Sequence, residues 1–500
     1  MKLKTKYGMV VSGHRKATEA GMKVLKSGGN AIDAAIAAAS TLAVAIPNMN
    51  GLGGDSIALY YCSKTKKIIT INGSGKSPRR ANINYFKSKG FKKIPQRSVL
   101  AITVPGVVSA WDAAIKKFGK KKIKDVLKDA INLADKGLKI DKYLFNFFKS
   151  DVYKNLIKNN KNLSNIFGLP REIKLGKIIK QKKLAETLKQ IAKLGSKTFY
   201  NGKINDLLVK DLSDQGSILS KDDFKNHTTL IQKPISAKFF NKKVFTAPPN
   251  SQGLALIGLC NSFNDIKGKL ILNDYVNLKK KIFHLRDKYC LDPDVTKYYI
   301  EKKKIDFKRL NITGSNFQKN SGDTSTLVVV DKNGNAVSWV QSLFEEFGSG
   351  ITSPQTGVVF HNRMYLEKIS KKGFNTLKPR KRPFHTLCPA IILNKKDLDL
   401  TIATPGDHGQ PQTLFQVLNY LYNHKFKIQK ALNSPRVRHN KGNELLVEKN
   451  YNNYFRYIKN NKLKIKIYAK PHRVFGGVTA IKINLDKTID RGADKRRNCY

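Results

Sequence analysis

The stretch NAIDAAIAAASTLAVAIP, residues 30–47, is apolar on nearly every side of the helix it would form. Asn30 has the chemistry of an N-cap, and Pro47 closes the segment. Its most hydrophobic part, residues 31–46, carries Asp33 and falls short of the roughly 18 residues that a membrane span needs. A helix like this belongs inside a protein core, so the rest of the chain must surround it. With 500 residues, the chain is long enough for two domains or one large α/β domain.

The flanking segments supply material for such a core. Ala17, Ala20, Met22, Val24 and Leu25 give a helical face that stops at Gly28-Gly29. After the apolar helix comes the loop NGLGGDS, residues 50–56, followed by strand-like IALYY and KKIITING. The loop lacks the Gly-Lys-Ser/Thr ending of a P-loop and fails the G-x-G-x-x-G template, so it reads as a close-packing turn. Between about 107 and 240 helical patterns alternate with lysine-rich surface, as in VVSAWDAAIKKFG and IKDVLKDAINLADKG.

Residues 300–323 are polar and poor in large apolar groups, and they read as an exposed linker. The character then changes abruptly. TSTLVVVDKNGNAVSWVQSL, residues 324–343, is two apolar runs around Asp-Lys-Asn-Gly-Asn, a strong hairpin signal. A tight turn at Asn333-Gly334 would set Thr324 opposite Leu343. A loop one residue longer, with Gly334 in the left-handed region, would set Thr324 opposite Ser342 and bring two hydroxyls onto one face. The second register is preferred.

Lys and Arg number 94 against 36 Asp and Glu, a net charge of +58. Such a balance can signal nucleic acid or an anionic surface. Here the lysines are spread over nearly every segment and no helix-turn-helix, zinc-finger or aromatic-basic motif stands out, so nucleic acid is not the expected partner. The five cysteines (Cys62, Cys260, Cys290, Cys388, Cys499) form no Cys-x-x-Cys pair, and neither a zinc site nor a disulfide framework is indicated. No metal or cofactor is expected. The N-terminus has no apolar h-region, and a soluble, reducing, cytoplasmic setting is the expectation.

A threonine hydroxyl is a poor nucleophile at neutral pH. As the first residue of a chain it gains a free α-amine, whose reference pKa of about 7.7–8.0 suits a general base. A polar linker ending in Gly322-Asp323 and meeting a strand that starts Thr324-Ser325-Thr326 has the right form for cleavage at that point.

The remaining motifs run in a recognisable order: GMVVSGHRKATEAGMKVLKSGGNAIDAAIAA at 8–38, PNMNGLGGDS at 47–56, NGSGKSP at 72–78 and TVPGVVSAWD at 103–112. They continue with APPNSQGLAL at 247–256, GDTSTLVVVDKNGNAVS at 322–338, FGSGI at 347–351, KRPFHTLCPA at 381–390 and TPGDHGQPQ at 404–412. Over almost its whole length the sequence resembles the γ-glutamyltransferase (γ-glutamyltranspeptidase) family, in particular its acylase and amidohydrolase branch.

The resemblance implies an α/β (α+β) fold of the N-terminal-nucleophile hydrolases, a four-layer αββα sandwich. It implies one precursor cut between Asp323 and Thr324 into a large subunit, 1–323, and a small subunit, 324–500, which together form one domain. Thr324 is then the nucleophile and its α-amine the base, and the released acyl group passes to water or an amine acceptor. Ser342 takes the place of the hydroxyl residue that positions the amine. TPGDHG matches the turn whose backbone N–H groups form the oxyanion hole, here Gly406 and Asp407, each donor being worth roughly 3–4 kcal/mol. The family has two glycines there, so Asp407 is a departure.

The parts that recognise glutamate also depart. The family's arginine position reads Ser74, its paired serines read His385 and Thr386, and its aspartate position reads Leu366. Lys76 and Arg363 lie nearby and could meet a carboxylate. Ser74, Lys76, Arg363, His385 and Thr386 are therefore the candidate substrate residues. The expected substrate is a small amide with an acidic or polar acyl group, of the γ-glutamyl, oxamate or glutaryl type, rather than glutathione itself. The alternatives are a family member that has lost catalysis and persists as a binding protein, and a nucleic-acid binder.

Overall fold

The computed structural model describes residues 3–158, 160–263, 270–294, 324–373, 375–456 and 463–500. The linker 300–323, and with it Asp323 of the expected cleavage site, lies outside them. Two six-stranded antiparallel sheets form the centre. In chain order their strands are β1 (Gly8–Ser12), β2 (Asp55–Cys62), β3 (Lys67–Asn72), β4 (Leu230–Gln232), β5 (Ile235–Phe239), β6 (Lys242–Thr246), β7 (Ser325–Asp331), β8 (Ala336–Ser342), β9 (Ala390–Asn394), β10 (Asp397–Ala403), β11 (Thr479–Ile483) and β12 (Ile489–Ala493). The first sheet runs β1-β7-β8-β2-β3-β4 and the second β12-β11-β10-β9-β6-β5.

Alternation along the strands builds the layers. In β7, Leu327 and Val329 join a core with the helices outside the first sheet, whereas Val328 and Val330 join Ile57, Val340, Ile391 and Ile481 between the sheets. The second sheet is covered by helices α4 (Gly253–Phe263), α5 (Leu272–Tyr289) and α6 (Gln410–Tyr422). The first is covered by α1 (Arg15–Lys26), α2 (Ala31–Ala45) and α3 (Val107–Phe118). The result is the four-layer αββα sandwich.

Helix α2 is the apolar segment of the sequence, and all of its residues are buried. Asn30 caps it, and its side chain and that of Asp33 exchange hydrogen bonds with the first turn. The buried Asp33 carboxylate also accepts the N–H groups of Lys120 and Lys121, which explains how one charge is tolerated in this helix.

The β7–β8 hairpin takes the longer loop. Ser325 pairs with Gln341 and Val330 with Ala336. Gly334 has φ +81° and donates its N–H to Asp331 O at 2.9 Å, while the Asp331 carboxylate accepts from the N–H groups of Asn333 and Asn335. A residue with a Cβ is disfavoured at that φ, so the Asn-Gly step sets the loop length and hence the register.

Candidate active site

One step past the Ser325–Gln341 pair, the Thr324 hydroxyl donates to Ser342 Oγ at 3.2 Å. Ser342 Oγ also accepts the Phe344 N–H at 2.7 Å. On its other side Ser342 pairs with Asp55 of β2. By strand alternation all three side chains lie on the inter-sheet side, with Val328, Val340 and Ile57. Continuing the β2–β3 register past Asn72 brings Ser74 opposite Asp55. A polar row thus crosses four strands at one end of the sandwich, from Thr324 to Ser74. Thr324 also lines a cavity of about 170 Å³ with Pro405, Gly477, Arg473 and the segment 495–499.

Asp55 is fully buried. Its Oδ2 accepts from His385 Nε2 at 3.1 Å and lies 3.1 Å from His361 Nδ1, while Oδ1 accepts the Gly75 N–H. Burial favours its neutral form, but the attraction of His361 and the bonds from both histidines outweigh that and hold the carboxyl well below its usual range. Burial, reinforced by the Arg363 charge, pushes His385 down to about 4. His385 is therefore neutral at pH 7, with its proton on Nε2 toward Asp55 and Nδ1 accepting the Leu387 N–H.

Beyond this row lies Arg363, also fully buried. Its Nη1 donates to Thr386 Oγ1 at 3.1 Å, and its guanidinium carbon sits 4.1 Å from the Phe344 ring centroid. Its Nε and Nη2 make no hydrogen bond to any described residue. Burial lowers its pKa to about 10, opposed by Asp55, Asp407 and Glu345, so it keeps its charge. A buried cation with two idle donors is expensive unless an acceptor arrives.

The turn after β10 carries the other candidates. Gly406 has φ +124° and Asp407 φ +52°, and Gly409 N–H closes the turn on Gly406 O at 2.8 Å. Gln252 Nε2 holds the Asp407 carbonyl at 2.8 Å. Among the described residues, neither oxygen of the buried Asp407 carboxylate has a hydrogen bond, and the His408 Nε2 is 3.8 Å from Oδ1. Burial raises this carboxyl to about 6, against the pull of Arg438 and Arg363.

The sequence profile described as gamma-glutamyltranspeptidase matches residues 17–499. The chain belongs to the γ-glutamyltranspeptidase family. It is 33% identical to a glutathione hydrolase-like proenzyme of Bacillus subtilis, covering 98% of this chain and 97% of that one. It is 29% identical to an oxamate amidohydrolase proenzyme of Klebsiella pneumoniae, over 86% of this chain and 84% of the relative. The fold matches the crystal structure of a cephalosporin acylase from Bacillus halodurans with a TM-score of 0.87 and 26% identity, over 100% of this chain and 96% of that one. The protein is thus an N-terminal-nucleophile hydrolase of the γ-glutamyltranspeptidase family, an amidohydrolase or acyltransferase.

Among the described residues no helix is long and apolar enough to cross a membrane. Within the family frame, the candidate residues outside the turn after β10 fall into three places. Thr324, Ser342, Ser74 and His385 lie on or against the polar row. Arg363 and Thr386 meet beside it. Lys76 does not join them and lines a different cavity with His227, Arg380 and Arg382. Ser74, at the family's arginine position, bonds locally to Asn72 Oδ1 at 2.7 Å and to Asn250. Leu366, at the aspartate position, packs against the apolar group of Leu254, Cys290 and Phe384. Sequence reasoning missed Asp55 and His361. The signal was the acidic residue before the last position of NGLGGDS, at the start of a largely apolar strand, where a carboxylate has to find partners.

Proposed function

We propose that this protein is made as a precursor that cuts itself before Thr324, giving chains 1–323 and 324–500. In this reading the freed Thr324 cleaves the amide bond of a small acyl donor bearing a carboxylate, of the γ-glutamyl, glutaryl or oxamate type. The Thr324 α-amine takes the Oγ proton as Oγ bonds to the carbonyl carbon. The N–H groups of Gly406 and Asp407 receive the oxyanion. The amine then passes its proton to the leaving nitrogen as the C–N bond breaks. Water, or an amine acceptor, attacks the threonyl ester and gives its proton to the α-amine, which returns it to Thr324 Oγ as the ester C–O bond breaks and the acyl group leaves.

The observation that carries the substrate class is Arg363, a buried guanidinium with Nε and Nη2 unused and with Thr386 Oγ1 beside it. A carboxylate can take two parallel N–H bonds from such a fork. The amidohydrolase relatives, among them one named for oxamate, favour the same class. A second reading is supported by Asp407: an ionised carboxylate beside the oxyanion position opposes the charge that develops there, and would suit a family member that binds without turning over.

Intact-mass analysis of the purified protein tests the reading. Two chains, the smaller beginning at Thr324, and a single 56.2 kDa chain for Thr324→Ala are expected. A wild type that stays in one piece, or a Thr324→Ala variant that still cleaves, overturns it. Incubation with glutaryl and oxamyl amides then gives a mass increase on the small chain if the acyl-enzyme forms.

A further inference from the structure

The cavity that holds Lys76 has a character of its own. It measures about 260 Å³, is lined by Lys76, Arg380, Arg382, His227, Asn226 and Asp223 among others, and shares no lining residue with the Thr324 cavity. A water takes up about 30 Å³ of liquid, so the space holds a polyatomic ion with some of its hydration. Three cations reach it from two segments that are far apart in sequence, 76 and 380–382. The one acidic lining residue is already engaged: Asp223 accepts from Ser220 N, Ser220 Oγ and Arg79 N.

The cations are only partly compensated: the buried Asp292 carboxylate accepts the Arg382 backbone N–H at 2.6 Å and attracts its guanidinium. Arg382 spends Nε on Ser74 O and Nη2 on Thr228 O, both neutral acceptors. Neither Arg380 nor Arg382 has an ion pair with a described residue, and Lys76 Nζ reaches only the exposed Asp294 at 4.0 Å. His227 adds the second observation. Its ring stacks on Tyr200 with centroids 5.1 Å apart, and both ring nitrogens are buried without a hydrogen bond to any described residue. Burial and then the Arg382 charge push it down to about 3, so it offers one N–H donor and one lone pair.

We infer that this cavity binds a phosphate group, with Lys76, Arg380 and Arg382 facing its oxygens and His227 completing the contact. A planar carboxylate satisfies one guanidinium fork. A tetrahedral oxyanion presents oxygens to cations on several sides, and in its monoprotonated form it also has the O–H that the His227 lone pair accepts. The group is either free phosphate or the end of a small phosphomonoester, for which the volume leaves room. The inference stands apart from the acyl-transfer reading, since none of its residues touches Thr324.

Isothermal titration calorimetry on the purified protein tests it, with sodium phosphate as probe and ionic strength held by NaCl. Saturable binding of one phosphate per chain is expected, at least about tenfold tighter than acetate. Lys76→Ala combined with Arg380→Ala should weaken it by about tenfold or more. Both side chains reach solvent, so the double variant should keep its fold, which its melting temperature checks. Glycerol phosphate binding as tightly as phosphate assigns a phosphomonoester, and weaker binding assigns the free ion; both support the site. Heats no different from NaCl, acetate as tight as phosphate, or full affinity in the double variant overturn it.

Discussion

The Thr324 end of the site and the Arg363 end are built by different means. Thr324 and Ser342 are set against each other by one hairpin, whose register follows from the Asn333-Gly334 step and whose strands lie in the middle of a sheet. Arg363, Thr386, His385, Asp55 and Asp407 converge from separate segments, and the contacts of Arg363 with Thr386 and of Asp55 with the two histidines are between side chains. A backbone ladder tolerates almost any outward side chain, so the reacting hydroxyl can be held constant while the convergent end is rewritten. That is the division seen here. In the function proposed above, the nucleophile end keeps its chemistry, and the recognition end has a serine where the family has arginine and a buried arginine elsewhere.

The sharpest way to break the comparison is at its rigid end. Ser342→Ala removes the acceptor of the Thr324 hydroxyl bond without moving the ladder. If Ser342 positions the amine and hydroxyl, kcat should fall by about 10³-fold with little change in KM, in line with the 10²–10⁴-fold typical of acid–base positioning. Chain cleavage should slow with it, read as the rate at which the 56.2 kDa band disappears on a denaturing gel. Turnover within tenfold of wild type would remove Ser342 from the mechanism.

Next in size is Asp407. Its folded pKa is raised from 3.8 to about 6 by burial. A raised carboxyl pKa means that the folded state prefers the proton, so stability is lost as pH rises from about 4 to about 6 and stays lost above. A shift of about two units corresponds to about 3 kcal/mol as an order of magnitude. Its φ of +52° adds strain that glycine lacks. Asp407→Gly should therefore gain about 3 kcal/mol more stability at pH 7.5 than at pH 4, where only the relief of strain remains, measured by urea unfolding at both values. It should also raise kcat above pH 6, where the wild-type carboxylate opposes the oxyanion. A gain that is the same at both pH values would show that backbone strain, and not charge burial, is what Asp407 contributes.

What the sequence made legible follows the same division. Helix α2, its Asn30 cap and the β7–β8 register depend on residues within about twenty positions of one another, where propensity, capping and turn chemistry act. The αββα fold came through family motifs, and the proposal of Thr324 as nucleophile rests on the same motifs. The meeting of Asp55 with His361 and His385, or of Arg363 with Thr386 and Phe344, depends on how loops from both sheets close on one another, and no local period encodes that. Lys76 shows the limit. It is two residues from Ser74, but the chain turns between them so that Ser74 faces the row and Lys76 opens into the other cavity.

Arg363→Met sharpens the recognition end. The ratio of kcat/KM for a glutaryl amide to that for its uncharged butyryl counterpart should fall by about 10²-fold, the size expected when one buried charge-assisted pair is lost. If both substrates fall together, Arg363 is structural and the carboxylate is read elsewhere. The smallest effect belongs to Ser74→Ala. Its hydroxyl bonds to Asn72 and Asn250 within the protein, so its loss should cost about 1 kcal/mol of stability. The same glutaryl-to-butyryl ratio should stay within about threefold of wild type. A tenfold or larger drop would mean that the family's arginine position still faces the substrate in this chain, and that the serine there took over part of the arginine's contact instead of surrendering it to Arg363.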